Sequence, residues 1–128
     1  MKTIVAGSRK GVTDNQVRQA ISNCEWEITE IVSGTASGVD TFGEQVAEEM
    51  GIPVSKFSAN WKDIEGKPEH LIKENYYGKY YIGAGYDRNE QMAEYADALI
   101  CVTTGSNGSK DMIKRAEQHG LLVKVVKV

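Results

Sequence analysis

The sequence predicts an α/β fold: a doubly wound, parallel five-stranded sheet with helices on both faces. Two observations carry this. Short apolar runs alternate with stretches of helical periodicity along all 128 residues, and parallel neighbours in a sheet need crossover helices of that kind. The turns leaving several of the runs are rich in glycine and small polar residues, as befits the carboxyl edge of an open parallel sheet.

Taken in order, Lys2 to Ala6 reads as a buried strand, followed by "GSRKG" and a helix from about Thr13 to Cys24. There Val17, Ala20, Ile21 and Cys24 recur at three- and four-residue spacing, and Thr13 or Asp14 can cap the first turn. Ile28 to Ser33 is the second strand. From Val39 to Met50 the residues Val39, Phe42, Val46, Ala47 and Met50 form one stripe, and Gly51 is placed to end the helix. Ile52 to Phe57 is a third strand, with Pro53 at its entry.

The rhythm then breaks over residues 58 to 82, "SANWKDIEGKPEHLIKENYYGKYYI", too long for an ordinary connection. Within it "PEHLIKENYYGKYY" reads as a short helix opened by Pro68, with Leu71, Ile72 and Tyr76 as its apolar side. A helix from about Arg88 to Tyr95 follows, then a strand Ala98 to Val102 and the loop "TTGSNGS". The chain closes with a helix from about Lys110 to His119, Gly120 as its cap, and a strand Leu121 to Val126. No repeat, low-complexity tract or linker divides it, so residues 1–128 are read as one domain with an insertion.

Composition narrows the function. Hydrophobic residues make up 41% and charged residues 26%, the balance of a folding chain. No apolar run is long enough to span a bilayer, and "MKTIVAGSRK" reads as an opening strand rather than a signal peptide. The expected location is cytoplasmic. A net charge of −3 argues against a broad electrostatic grip on nucleic acid, though a local basic patch is compatible with it. The expected partner is therefore a small molecule, with neither nucleic acid nor membrane. Cys24 and Cys101 read as packed thiols, neither belongs to a metal-ligand pair, and neither His70 nor His119 is placed to activate one. No metal and no cofactor are expected.

Three turns on one predicted edge invite an anion: "GSRKG" with Gly7, Ser8 and Arg9, "SGTASG" with Ser33 and Gly34, and "TTGSNGS" with Thr104, Gly105, Ser106, Gly108 and Ser109. Glycine lets amides approach closely, the following helix start supplies free N–H groups, and hydroxyls add short donors. Neither the dinucleotide fingerprint nor the P-loop is present. Arg9 is either a solvated side chain or a fork onto phosphate. Asp40 is either a partner of the helix dipole or an acceptor for ribose hydroxyls. Arg88 and Asn89 after "GAGYD" are either caps or ligands of phosphate and of base or sugar.

Taken together, "GSR", "VSGTASGVDTFGEQVAEEMGIPV", a tryptophan soon after, "AGYDRNEQM", "ADALI" and "GSNGSKDMIKRAEQHG" resemble, in order, the SLOG superfamily. The likeness is nearest to its small stand-alone, cpYpsA-related, YspA-like members and leaves out only residues 62 to 82. The resemblance implies a Rossmann-like fold and a nucleotide or nucleotide-derived ligand. By motif position it carries ligand contact onto Gly7, Ser8, Arg9, Ser33, Gly34, Asp40, Arg88, Asn89, Gly105, Ser106, Gly108 and Ser109. It also places a tryptophan near the ligand, which makes Trp61 the stacking candidate.

The same superfamily includes the Lonely Guy phosphoribohydrolases, whose P-G-G-x-G-T-x-x-E fingerprint ends in a catalytic glutamate. Aligning Gly108-Ser109 on G-T puts Met112 in that place. Asp111 is one residue short, a rotation of about 100° on a helix. The favoured expectation is thus binding without hydrolysis, and N-glycosidic hydrolysis is the alternative. A second alternative is a single-stranded DNA-binding module, because "VSGTASGVDTFGEQVA" resembles the DNA-processing proteins of natural transformation. The insertion holds Trp61 and four of the six tyrosines. It reads as a cover over core, as a subunit interface in a homodimer or higher homo-oligomer, or as a stacking lid.

Overall fold

The computed structural model describes residues 1–128. Five strands form one parallel sheet: β1 (Lys2–Gly7), β2 (Glu30–Ser33), β3 (Val54–Lys56), β6 (Ala98–Thr103) and β7 (Leu122–Lys127), in the order β3-β2-β1-β6-β7. Residues β4 (Ile72–Asn75) and β5 (Gly78–Tyr81) pair separately as an antiparallel hairpin. Helices α1 (Asp14–Ser22), α2 (Val39–Met50), α3 (Ala84–Tyr95) and α4 (Asn107–Gln118) cover the parallel sheet. This is the Rossmann-like, doubly wound architecture expected. No helix is long and apolar enough to cross a membrane.

Alternation along the central strands divides the core into two layers, since successive side chains point to opposite faces. On one face Val5, Ile31, Ile100 and Val102 pack against Val17 and Ile21 of α1 and Val39, Val46 and Ala47 of α2. On the other, Ile4, Val32, Leu99 and Cys101 meet Met92 and Ala96 of α3 and Met112 and Ala116 of α4. The free thiol of Cys101 is fully buried, and that burial pushes it up to about 11. It packs as a small apolar residue.

This division fixes where a ligand can sit. β1 leads to α1 on one face, while its neighbour β6 leads to α4 on the other. The two connections diverge and leave a crevice outside the carboxyl ends of β1 and β6, the position where open parallel sheets take their ligands.

Two expected elements are corrected. The segment expected to be a helix after Pro68 is a 3-10 turn, Glu69–Leu71, running into the β4–β5 hairpin. Gly78 holds φ +109° at its turn, where any side chain would be strained. Helices α3 and α4 also begin earlier than the glycine-rich approaches implied. Gly85 sits in the first turn of α3, and Ser106 caps α4 by accepting from the Ser109 amide at 3.4 Å. Gly108 and Ser109 are therefore helical, and Arg88 and Asn89 lie in the second turn of α3 rather than at its start.

Helix α1 has a complete capping box. The Thr13 hydroxyl accepts from the Gln16 amide at 3.2 Å, and the Gln16 side chain accepts from the Thr13 amide at 2.9 Å. Replacing Thr13 by Ala should lower stability by about 1 kcal/mol, read from the urea midpoint at unchanged slope. An unchanged midpoint would show that the box contributes nothing.

Candidate functional site

Site geometry starts at Gly7, the last residue of β1. A Cβ added there would lie 1.8 Å from the Val102 carbonyl oxygen and 2.9 Å from Val39 Cγ2. Only a bare backbone lets the ends of β1 and β6 and the start of α2 converge. Ser8 follows, buried, with its amide donating to Val102 O at 3.2 Å and its carbonyl accepting from Val39 N at 3.3 Å. Gly38, at φ +77°, closes the same junction: a Cβ on it would be 2.6 Å from the Ser8 oxygen and from Arg9 Cα. The first two polar turns are thereby locked together.

The Ser8 hydroxyl joins the third. It lies 3.2 Å from Thr103 Oγ1 and 3.0 Å from Thr104 Oγ1, donates to Ser106 Oγ at 3.3 Å, and accepts from the Thr104 amide at 3.0 Å. Ser106 and Ser109 hydroxyls are 2.7 Å apart. These groups now satisfy one another, and hydroxyls can rotate onto an incoming anion without leaving a buried donor unpaired.

Facing them across the crevice is a charged cluster. Arg88 is half-buried; its Nη1 donates to the Gly34 carbonyl at 2.7 Å and its Nε to Asn89 Oδ1 at 3.2 Å, leaving Nη2 free. Burial lowers its pKa, partly opposed by Asp40. Asp40, in the first turn of α2, is 5% exposed and accepts from the Ala36 amide through Oδ2 at 3.2 Å. Burial pushes its carboxyl up to about 6, against the pull of the Ala36 N–H and of Arg88 and Arg9. No ion pair joins Asp40 to Arg88. Gly34 keeps the two close, since a Cβ there would sit 2.8 Å from Asp40 Oδ2 and 3.0 Å from Arg88 Nε.

The tryptophan comes from the insertion. Trp61 is tied to the hairpin by its carbonyl, which accepts from the Tyr81 amide at 2.7 Å. Its ring lies over the first turn of α3, where a Cβ on Gly85 would be 3.1 Å from the ring edge. The base of the insertion thus walls the crevice, while Tyr76 and Tyr77 at its tip are 95% and 80% exposed.

A cavity of about 530 Å3 results, lined by every candidate except Ser33, Gly34 and Gly105. Ser33 turns away: its hydroxyl donates to Glu44 Oε2 at 2.5 Å. Gly34 contributes through Arg88 and Asp40 instead of by contact. Gly105, at φ +101°, serves the bend, with its amide on Thr103 Oγ1 at 2.9 Å. Lys10, Ile82, Gly85 and Tyr86 also line the cavity without having been singled out. Tyr86 and Asn89, three residues apart, share a face of α3, whereas Ile82 precedes the helix in the turn after β5.

Where the hydrolase glutamate would stand, Met112 is buried and forms part of the cavity lining. Asp111 is occupied by neighbours, accepting from Asn89 Nδ2 at 3.0 Å and from Arg115 Nε at 2.9 Å.

No protein-family model matches the sequence, and neither does any curated protein. Among solved structures, the chain is similar to the X-ray structure of DNA processing protein A (DprA) from Streptococcus pneumoniae. The TM-score is 0.69 at 24% identity over 97% of this chain. It spans about half of that protein, 49% of its length. The likeness shows a shared fold. It also overturns the expectation that nucleic acid is not among the partners, because a protein named for DNA processing is built on this fold. Net charge is an average over the whole surface, whereas a strand feels local groups. Here Arg9, Lys10 and Arg88 stand together at the cavity.

Proposed function

We propose that the carboxyl-edge cavity binds a nucleotide unit without hydrolysing it. Phosphate would lie against Ser8, Ser106, Ser109 and the start of α4, with Arg88 and Arg9 supplying charge. Sugar hydroxyls would donate to Asp40, and the base would stack on Trp61 with Tyr86 nearby. One observation carries this reading: hydroxyls and helix-start amides converge beside a half-buried arginine and a buried carboxylate in one cavity. A lone phosphate would not need the carboxylate or the indole. Binding without hydrolysis is supported by buried Met112 and by Asp111 being held by Asn89 and Arg115.

The nucleotide can arrive free or as one unit of a single strand. Similarity to DprA and the basic trio at the cavity favour the strand, since single-strand grooves combine cations with stacking aromatics. Fluorescence polarisation with labelled single-stranded oligonucleotides, beside thermal shifts with the four mononucleotides, tests both. A bound ligand at one hundred times its dissociation constant adds about 2.7 kcal/mol of stability, and strand binding should weaken steeply with salt. Arg88→Ala should weaken either ligand about tenfold. Absence of any shift and of any polarisation change would end the nucleotide reading. Release of free base, lost in Asp40→Asn or Asp111→Asn, would end the claim of binding alone.

A further inference from the structure

Beside the main cavity lies a second one of about 220 Å3, and the two share Arg88. Its floor is Tyr81 and Ala84, both buried, and Asn60, Asp63, Asp87 and Gln91 stand around it. The chemistry differs from that of the first cavity. No glycine lines it and no helix-start hydroxyl cluster faces it. Its lysine, Lys67, is held 4.0 Å from the Asp63 carboxylate and 5.0 Å from the centre of the Tyr81 ring. The exposed amides of Asn60 and Gln91 and the Asp87 carboxylate make no hydrogen bond inside the protein. Two amides and a carboxylate beside an aromatic floor match the neutral donors and acceptors of a nucleoside better than the charge of a phosphate.

Arg88 forms the boundary. Its Nη1 and Nε are fixed by Gly34 and Asn89, so the guanidinium is held in place while Nη2 has no hydrogen-bond partner in the protein, and the side chain lines both cavities. A phosphate there would link whatever occupies the two sides.

We propose that the second cavity takes a second nucleoside, joined through a phosphate at Arg88 to the nucleotide in the main cavity. The ligand class is then a dinucleotide step, with Asn60 and Gln91 contacting its second base or sugar. This rests on the nucleotide reading of the main cavity. A free dinucleotide and two successive residues of a strand present the same chemistry.

The test is calorimetric titration with the four 5′-mononucleotides, the matching 5′-phosphorylated dinucleotides and pentanucleotides, on the native protein and on an N60A/Q91A variant. Both substitutions are at exposed positions, and an unchanged melting temperature checks that the variant is folded. A dinucleotide should bind about tenfold more tightly than its mononucleotide. The variant should lose that gain while its mononucleotide affinity is unchanged. A pentanucleotide tighter than the dinucleotide identifies a strand, and equal affinity identifies a free dinucleotide. If mononucleotides bind but dinucleotides gain nothing, or the gain survives in the variant, the second cavity is not a nucleoside site. If no nucleotide of any length binds, the main-cavity reading falls and this one with it.

Discussion

Gly7→Ala should cost more than about 4 kcal/mol and leave the protein largely unfolded or insoluble, the range reserved for substitutions the structure cannot absorb. The added Cβ would lie 1.8 Å from the Val102 carbonyl oxygen and 2.8 Å from its carbon. Those are backbone atoms in the centre of the sheet, paired with β7 on the far side, so no rotamer change relieves the clash. Moving β6 away would break the register from Thr3–Ala98 to Gly7–Val102 and part the two core layers. Gly108→Ala is the counterpart. A Cβ there meets nothing within 4 Å and falls in the first turn of α4, so stability should rise by up to about 1 kcal/mol. If phosphate approaches that turn, binding should nonetheless weaken. Urea denaturation of both variants decides the matter. A soluble, cooperatively folding Gly7→Ala protein would show that the junction of β1, β6 and α2 is looser than its geometry.

The contrast between these glycines bears on what the sequence reveals. Both stand in motifs that look alike on paper, a glycine among serines after an apolar run. One is a packing requirement and the other only borders the cavity, and the difference depends on which strand lies opposite. The parallel sheet itself was legible because strand and helix periodicities are local, and α2 runs from Val39 to Met50 as its stripe and Gly51 indicated. Helices α3 and α4 extend back over residues read as loop because Gly85 and Gly108 lower intrinsic helix preference. In α3 tertiary packing overrides it, with Trp61 resting on Gly85.

The hairpin was missed for a related reason. Leu71, Ile72 and Tyr76 have helical spacing, but the segment is held from outside by Tyr81 N donating to Trp61 O and Ile82 N to Leu71 O. Those same bonds bring Trp61 to the cavity wall. The polar turns that border the cavity were local and readable. The approach of Asp40 and Arg88 to Gly34 from either side brings together residues distant in sequence, and nothing in either motif announces it.

The burial of Asp40 leads to the second large effect. Replacing Asp40 by Asn should make the protein more stable at neutral pH while weakening its hold on a nucleotide. The carboxyl is 5% exposed, and burial raises it from 3.8 to about 6. Such a shift corresponds to about 3 kcal/mol of preference for the protonated form in the fold. Because the folded value is the higher one, the unfolded chain releases this proton first as pH rises. The favourable contribution is therefore complete below about pH 4, declines through the interval up to about 6, and is absent above it. Asparagine keeps an oxygen for the Ala36 amide and has no charge to desolvate.

The stability of Asp40→Asn relative to the native chain should accordingly grow between about pH 4 and pH 7, by up to about 3 kcal/mol. Binding should move the other way. A sugar hydroxyl donating to Asp40 favours the ionised form, so native affinity should climb over the same interval, and the variant should lose that part of the climb. Phosphate titrates nearby, which is why the comparison with the variant, rather than the native profile alone, isolates Asp40. Urea unfolding and nucleotide titration at pH 4, 5, 6 and 7.5 supply both curves. A stability difference that stays flat with pH would mean that Asp40 is ionised at no cost in the folded protein. Parallel affinity curves would mean that no ligand hydroxyl reaches it. A buried charge that lowers stability at neutral pH and faces a cavity is the pattern of a site kept for function, and only the two curves together separate that from a carboxylate that is merely tolerated.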